Sequence, residues 1–549
     1  MLFWSSLARP RAGTLCLALL LMSCAAPGPP TGALPGTSTG LPPVVTANPA
    51  SPAEARIDAP AAPREWRAAW VATVVNIDWP SRPGLPADKQ RAEVRAMLDR
   101  ARAIGLNAIV LQVRPAADAI YPSALEPWSE WLSGEQGRAP APAYDPLALW
   151  VSEAHQRGIE LHAWFNPYRA RHTAAKSPAS VTHVSRSKPE LVRSYGDQQW
   201  IDPGEPAAAM HTLAVVADVA RRYDIDGVHI DDYFYPYPLA GADGVDQPFP
   251  DDASWQRYIG SGGTLSRDDW RRDNVSRLVQ ALHDTVHRIK PQLRFGISPF
   301  GLGRPDLRPA GIEGFSQYDK LYADVERWVQ QGWLDYLAPQ LYWAIDKPGQ
   351  AFAPLLDYWA AQLGGARHLW PGVFTSAIVG GVGNAGGGGA RQWPADEVLA
   401  QIGLVRQRSA AGGHIHFSMV ALMQDRDGVA TRLRSGPYAQ AALAPASPWL
   451  DTHKPSAPRA VLGQRQVTLL SADAQPPFLW AVWRRSAGQW RFATLPGHET
   501  TLALAEPGQP ASEALVVSAV SRSGQESERV LLRVQVAVPP PVSSPVAPR

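Results

Sequence analysis

The run Asp226-Gly227-Val228-His229-Ile230-Asp231-Asp232-Tyr233-Phe234-Tyr235-Pro236 carries a short apolar segment straight into two adjacent carboxylates and then a cluster of aromatic rings. Carboxylates act as acid, base or nucleophile at an oxocarbenium-like centre, and flat rings offer apolar faces on which pyranoses stack. The same acidic pair also fits a plainer role, capping the next helix or opening a turn. Two close carboxylates cannot both ionise easily and their titrations couple. One of Asp231 and Asp232 is therefore the expected catalytic group, with the other steering its ionisation, while Asp226, at the strand's start, reads as structural.

These residues need a scaffold. From Glu65 to about Tyr438 short β-rich apolar runs alternate with longer helical stretches, the pattern of βα repeats around a parallel sheet. Candidate strands are 67–75, 107–113, 159–165, 226–230, 293–298, 334–341, 368–374 and 413–419, which fit a (β/α)8 TIM barrel over 64–445. An open doubly wound sheet is the alternative, but no Gly-rich phosphate loop follows the first strand. The stretch Arg271 to Lys290 exemplifies the helices, with Val275, Leu278, Val279, Leu282, Val286 and Ile289 on one face. Its His283 and His287, one turn apart, look like a metal pair but flank the apolar stripe of an outer helix. His414 and His416 alternate along the last strand and read as core or rim packing.

Active sites of such barrels lie at the C-terminal ends of the strands. Collecting the polar and aromatic residues there gives Asn76, Asp78 and Trp79; Gln112, Arg114 and Asp118; Trp164, Asn166, Tyr168 and Arg169; Asp231, Asp232 and Tyr233; Ser298; and Gln340, Tyr342 and Trp343. Carboxylate, amide, guanidinium and indole groups at one mouth suit a hydroxyl-rich polymer, not phosphate. A glycosidase normally needs a second, separated carboxylate, and Asp78, Asp118 and Glu313 are candidates, whereas Asp335 precedes its strand and should point to the barrel's bottom. Arg114 and Arg169 fit two roles equally: pairing with substrate carboxylates, or holding loop carboxylates in place.

The chain's 549 residues hold 52 Lys+Arg against 50 Asp+Glu, a formal charge of +2 that gives no field for nucleic acid. Twenty-one Trp beside two Cys is the unusual feature. Both cysteines lie near the N-terminus, where Arg9 and Arg11 precede an apolar run too short to span a bilayer. That run ends in Leu21-Met22-Ser23-Cys24, which resembles a bacterial lipobox and implies a signal peptide over 1–23 with lipidation of Cys24; ordinary secretion is the alternative. Ala25 after the cysteine resembles the pattern of lipoproteins that pass to the outer membrane. Residues 24–63 form a Pro/Ala-rich spacer with ten prolines between 25 and 63. Residues 455–536 show regular alternating runs that predict a small β-sandwich, of fibronectin type III kind, with a Pro-rich tail at 537–549. The glycine run 380–389 reads as a rim loop.

Several ordered motifs carry a resemblance: Arg67-Ala68-Ala69-Trp70-Val71-Ala72-Thr73 with Asn76-Ile77-Asp78-Trp79-Pro80, then Gln112-Val113-Arg114-Pro115, Pro127-Trp128-Ser129, Tyr144-Asp145-Pro146-Leu147, His162 to Arg169, Asp226 to Pro236, Gly296 to Gly301 and Ala338 to Trp343. They resemble the glycosyl-hydrolase-like 10 family over roughly residues 64 to 440. The resemblance implies a (β/α)8 barrel and hydrolysis of glycosidic bonds by carboxylates without metal or organic cofactor. It also implies an envelope lipoprotein, anchored in the outer membrane and facing the periplasm, that cleaves denuded peptidoglycan glycan strands. Another exported polysaccharide, or carbohydrate binding without catalysis, are the competing readings. The C-terminal sandwich is then a candidate contact for divisome or other envelope proteins. A weaker similarity joins the Asp226 stretch to the family 18 chitinase motif, but that motif's final Glu is Tyr233 here and its third carboxylate is His229.

Overall fold

In the computed structural model the described residues are 57–379, 392–505 and 512–534. The expected signal peptide, Cys24, most of the spacer, the glycine run and the tail lie outside them. Among the described residues no helix is long and apolar enough to cross a membrane.

The core is a TIM-like parallel barrel. Its strands are Trp66–Val71, Ala108–Arg114, Glu160–Phe165, Gly227–Ile230, Arg294–Ile297, Tyr336–Leu337, the pieces His368–Leu369 and Gly372–Val373, and Gly413–His416. Each pairs in parallel with the next, and the first strand also pairs with the last through Trp66 to Gly413 and Ala69 to His416. The seventh expected strand is divided at Trp370-Pro371: one piece pairs with the sixth strand and the other with the eighth. Pro371 supplies no N–H to a ladder, so pairing lapses there while the chain still bridges both neighbours. Tyr336–Leu337 and Gly413–His416 end earlier than the expected runs 334–341 and 413–419.

Local sequence sets the surrounding helices. Asp145 caps Pro146–His155, its Oδ1 accepting from Ala148 N at 3.0 Å with Pro146 at the first helical position. Ser266 caps Arg267–Ile289, accepting from Asp269 N at 3.2 Å, and that helix buries Trp270, Val275, Leu278, Val279, Leu282 and Val286 as its periodicity requires.

One insertion had no clear periodic signal. Between the third and fourth barrel strands, Arg169–Arg171, Val192–Tyr195 and Gln198–Ile201 form a small antiparallel sheet. It carries Arg169 to the mouth.

Beyond the barrel, Arg459–Leu462, Gln466–Leu470 and Thr501–Ala503 form one antiparallel sheet. Gln489–Pro496, Leu479–Ser486, Ala514–Val520 and Val530–Arg533 form a second. Val467, Leu469, Trp480, Val482, Leu515 and Val517 fill the space between them. The far face of the larger sheet buries Ala481, Trp483 and Val516 against Ala59 and Leu443. This module sits against the N-terminal ends of the barrel strands: Arg522 pairs with Asp224 at 2.5 Å and Asp226 at 3.2 Å, and Trp449 Nε1 donates to Asp335 at 2.8 Å.

Candidate active site

Pleating turns alternate residues of each strand into the barrel. The inward series of the fourth strand is Gly227, His229 and, just past its end, Asp231. Asp231 is 3% exposed. Its Oδ2 accepts from Trp164 Nε1 at 2.9 Å and from Asn166 Nδ2 at 3.2 Å. Burial pushes the Asp231 carboxyl up to about 7; Arg169 opposes that rise and Asp232 adds to it. Burial also raises Asp232, against hydrogen bonds from Tyr237 and Gln340. Gln340 is held in turn by donating to Ser298 O at 2.9 Å.

Beneath the carboxylates runs a buried polar chain. Burial pushes the His229 imidazole well below its usual range, so it is neutral. Its Nε2 accepts from Trp70 Nε1 at 3.2 Å and lies 2.9 Å from Ser298 Oγ, which leaves Nδ1 to donate to the Tyr336 hydroxyl at 2.9 Å. That hydroxyl is then the donor to His162 Nδ1 at 3.0 Å. His162 Nε2 faces Glu160 at 3.5 Å, and Glu160 is paired with Arg294 at 3.0 Å. The chain joins an ion pair at the barrel floor to the residues that carry the mouth, and the neutral ring adds no charge to it.

Half-buried aromatic rings surround the carboxylates. Tyr342 stacks on Phe374 with centroids 5.0 Å apart and lies 5.4 Å from Phe417. Trp343 meets Phe300 at 5.5 Å, and Phe300 and Tyr237 both pack on Phe315. Arg169 lies over the Tyr233 ring at 3.9 Å. Such rings supply the apolar platforms that sugar faces require, next to a carboxyl able to give up a proton near neutrality.

Of the residues expected at the mouth, the structure gathers Asp231, Asp232, Trp164, Asn166, Arg169, Tyr233, Gln340, Tyr342 and Trp343. It places six others in the scaffold. Asn76 donates to the carbonyls of Pro80 and Trp131, both at 2.8 Å. Asp78 accepts from Ala72 N at 2.8 Å, Ser418 Oγ at 2.8 Å and Val420 N at 2.7 Å, tying the loop after the first strand to that after the last. Trp79 is fully buried, packed edge-on to Trp150 and donating to Gln90 O, so it offers no face to a sugar. Gln112 accepts from Thr73 N at 3.1 Å and Val74 N at 2.9 Å. Tyr168 is fully buried in the outer core. Arg114 is fully buried, paired with Glu126 at 2.5 Å and donating to Asn166 O at 2.6 Å; of its two expected roles the geometry is that of the strut.

The second-carboxylate candidates also move away. Asp118 is buried among Ala116 N, Ser129 and Gln136, and Glu313 is exposed. Asp335 lies at the barrel floor, accepting from Phe295 N and paired with His287, so that histidine is an outer-helix ligand of a carboxylate. Among the described residues no group of three or more His, Cys, Asp or Glu stands ready to hold a metal ion. Sequence reasoning missed Tyr237, His229, Tyr336, Phe374 and Phe417. The inward alternation of the strands was the available signal for His229 and Tyr336; Tyr237 had none beyond its place at the end of the aromatic run.

A parallel barrel with buried carboxylates in an aromatic mouth defines a class, the barrel glycoside hydrolases, and the comparisons fix the family. The model of the family described as glycosyl hydrolase-like 10 matches residues 65–378, and the chain belongs to that family. Glycosyl hydrolase YngK of Bacillus subtilis is 41% identical over 404 residues, spanning 72% of this chain and 76% of that protein. Glycosyl hydrolase DigH of Escherichia coli K12 is 34% identical over 368 residues, spanning 63% of this chain and 78% of its own. Among solved structures, the PgaB glycoside hydrolase domain of Bordetella bronchiseptica superposes with a TM-score of 0.45 at 13% identity, covering 67% of this chain and 98% of that one. The catalytic domain of a Paenibacillus polymyxa β-amylase gives 0.46 at 10% identity, covering 69% and 98%. The protein is a glycoside hydrolase.

Proposed function

We propose that the protein hydrolyses the glycan strands of peptidoglycan stripped of their stem peptides, while held at the outer membrane, facing the periplasm, by lipid on Cys24. Asp231 is the proton donor to the glycosidic oxygen, and Asp232, fixed by Tyr237 and Gln340, balances the positive charge that develops on the sugar. The observation that carries the reading is the Asp231 carboxyl, buried and pushed up to about 7 beside a second carboxylate within a ring of aromatic side chains. A carboxyl of that pKa holds its proton near neutrality yet releases it readily, as a general acid must. The spacer holds the barrel off the membrane. The C-terminal module, which we read as a fibronectin type III-like sandwich, docks on the barrel floor, leaves the mouth clear and has an outer surface for divisome or other envelope proteins.

The test is to incubate the unmodified chain, Asp231→Asn and Asp232→Asn with intact sacculi and with stripped glycan strands, and to read products by mass spectrometry. Short glycans released only from stripped strands, and only by the unmodified chain, support the proposal. Products from another polysaccharide alone would overturn the substrate, and undiminished cleavage by both variants would overturn the assignment of the carboxylates.

A further inference from the structure

Arg169 is built unlike three other buried arginines of this protein. Arg114, Arg271 and Arg294 are as enclosed as Arg169, and each meets a carboxylate at contact: Glu126 at 2.5 Å, Asp251 at 2.6 Å and Glu160 at 3.0 Å. Burying a guanidinium is costly without such a partner, which explains the three pairs. Arg169 is 5% exposed, yet among the described residues no carboxylate lies within 4.0 Å of it, and its Nε has no hydrogen-bond partner. It is nonetheless held in place. Asn166 Oδ1 accepts from its backbone N at 2.8 Å, and its guanidinium lies 3.9 Å from the Tyr233 ring centroid, with Trp200 behind at 5.9 Å. Asn166 is also a donor to Asp231, so one residue ties the guanidinium's strand to the carboxyl.

We propose that Arg169 is the specificity determinant of the site, receiving a carboxylate borne by the sugar polymer itself. The proposal rests on the hydrolase reading of Asp231 and deepens it by naming the substrate's charge. A planar guanidinium stacked on an aromatic ring keeps its edge free for a carboxylate, and the charge-assisted bonds it makes there replace the anion the protein withholds. Two sugar chemistries present such a group: a lactyl ether on an amino sugar, as in stripped peptidoglycan strands, and the C6 carboxylate of a uronic acid.

The experiment compares kcat/KM of the full chain on stripped peptidoglycan strands, on the same strands with lactyl carboxylates reduced to alcohols, and on chitin oligosaccharides, which share the amino-sugar backbone without a carboxylate. The unmodified chain is expected to favour the native strands over the reduced ones by about 10- to 100-fold, the range of one charge-assisted contact. Arg169→Met is expected to bring that ratio to about one. Arg169→Lys, which keeps the cation in a compact form, should retain part of the preference and guards against a folding defect. Equal cleavage of native and reduced strands by the unmodified chain, or Arg169→Met lowering both rates alike with its ratio unchanged, would overturn the proposal; the latter would make Arg169 a partner of Asp231 and Asp232 only. Should neither peptidoglycan strands nor chitin be cut, the substrate reading fails by itself. A uronate polymer against its methyl ester then reads the same ratio, with preference for the free acid supporting the inference and indifference ending it.

Discussion

Asp226 and Asp231 lie five residues apart, at opposite ends of one barrel strand, and both are buried, yet the protein treats them in opposite ways. At the floor, Asp226 is surrounded by partners: His155 at 2.8 Å, Arg522 at 3.2 Å and the N–H of Leu161 at 2.8 Å. Against the penalty of burial, these hold its carboxyl down to about 2. At the mouth, Asp231 receives three neutral N–H donors, from Trp164, Asn166 and the Tyr233 backbone, with Arg169 favouring its charge and Asp232 opposing it, and burial wins. The floor spends its charges on joining barrel to sandwich. The mouth leaves its charges unbalanced, a condition that costs stability and supports proton transfer.

The sharpest break of this contrast is the pair Asp231→Asn and Asp226→Asn. Losing a positioned proton donor costs about 10² to 10⁴ in rate. Asp231→Asn should therefore lower kcat/KM by roughly 10³-fold, measured as glycan release, with the melting temperature unchanged or raised at neutral pH. Asp226→Asn should do the reverse. It should leave activity per folded molecule within about threefold and cost on the order of 2 kcal/mol in urea unfolding, less than a fully buried pair because Arg522 is 34% exposed. If Asp226→Asn abolished catalysis in a folded protein, floor and mouth would be one electrostatic unit and the comparison would fail.

A second and smaller effect separates the two ends by pH. The Asp231 pKa is raised above its ordinary 3.8, so the neutral carboxyl contributes fully below about 3.8 and that contribution is lost as pH rises through about 7. The Asp226 pKa is depressed, so its contribution is present above 3.8 and lost as pH falls through about 2. Unfolding free energy followed from pH 2 to 8 should thus flatten at the alkaline side in Asp231→Asn and at the acid side in Asp226→Asn. The activity of the unmodified chain should fall above about pH 7 as the proton donor ionises. A limb unmoved in both variants would remove this account of where the charges act.

The barrel was legible in the sequence because each strand is an apolar run bounded by turns. The acidic pair was legible because it follows one of them. Less legible was which rim residues face the mouth. Trp79 and Asp78 follow a strand, as Asp231 does, and Arg114 ends one, but all three turn into the outer layer. Nothing in the spacing shows that Glu126 returns to Arg114 or that Ser418 returns to Asp78 across 340 positions. Long-range pairing of that kind is decided by how loops cross, and loops carry no period. The buried chain through His229 and Tyr336 was nearer to reach, since inward alternation places His229 on the side of Asp231.

The smallest expected effect concerns two tryptophans that look equivalent in sequence. Trp343 is half-buried beside Phe300, whereas Trp79 is enclosed against Trp150. A sugar stacked on the open face of a half-buried indole gains about 1 kcal/mol, so Trp343→Ala should raise KM roughly fivefold with kcat little changed. Trp79→Phe removes the N–H given to Gln90 O and part of a packed ring, and should lower the melting temperature by several degrees with KM unmoved. Steady-state kinetics with thermal melts decide between them. A KM effect at Trp79 would mean that its loop opens to present the ring to substrate, and the division between scaffold and mouth would then hold only for the unliganded protein.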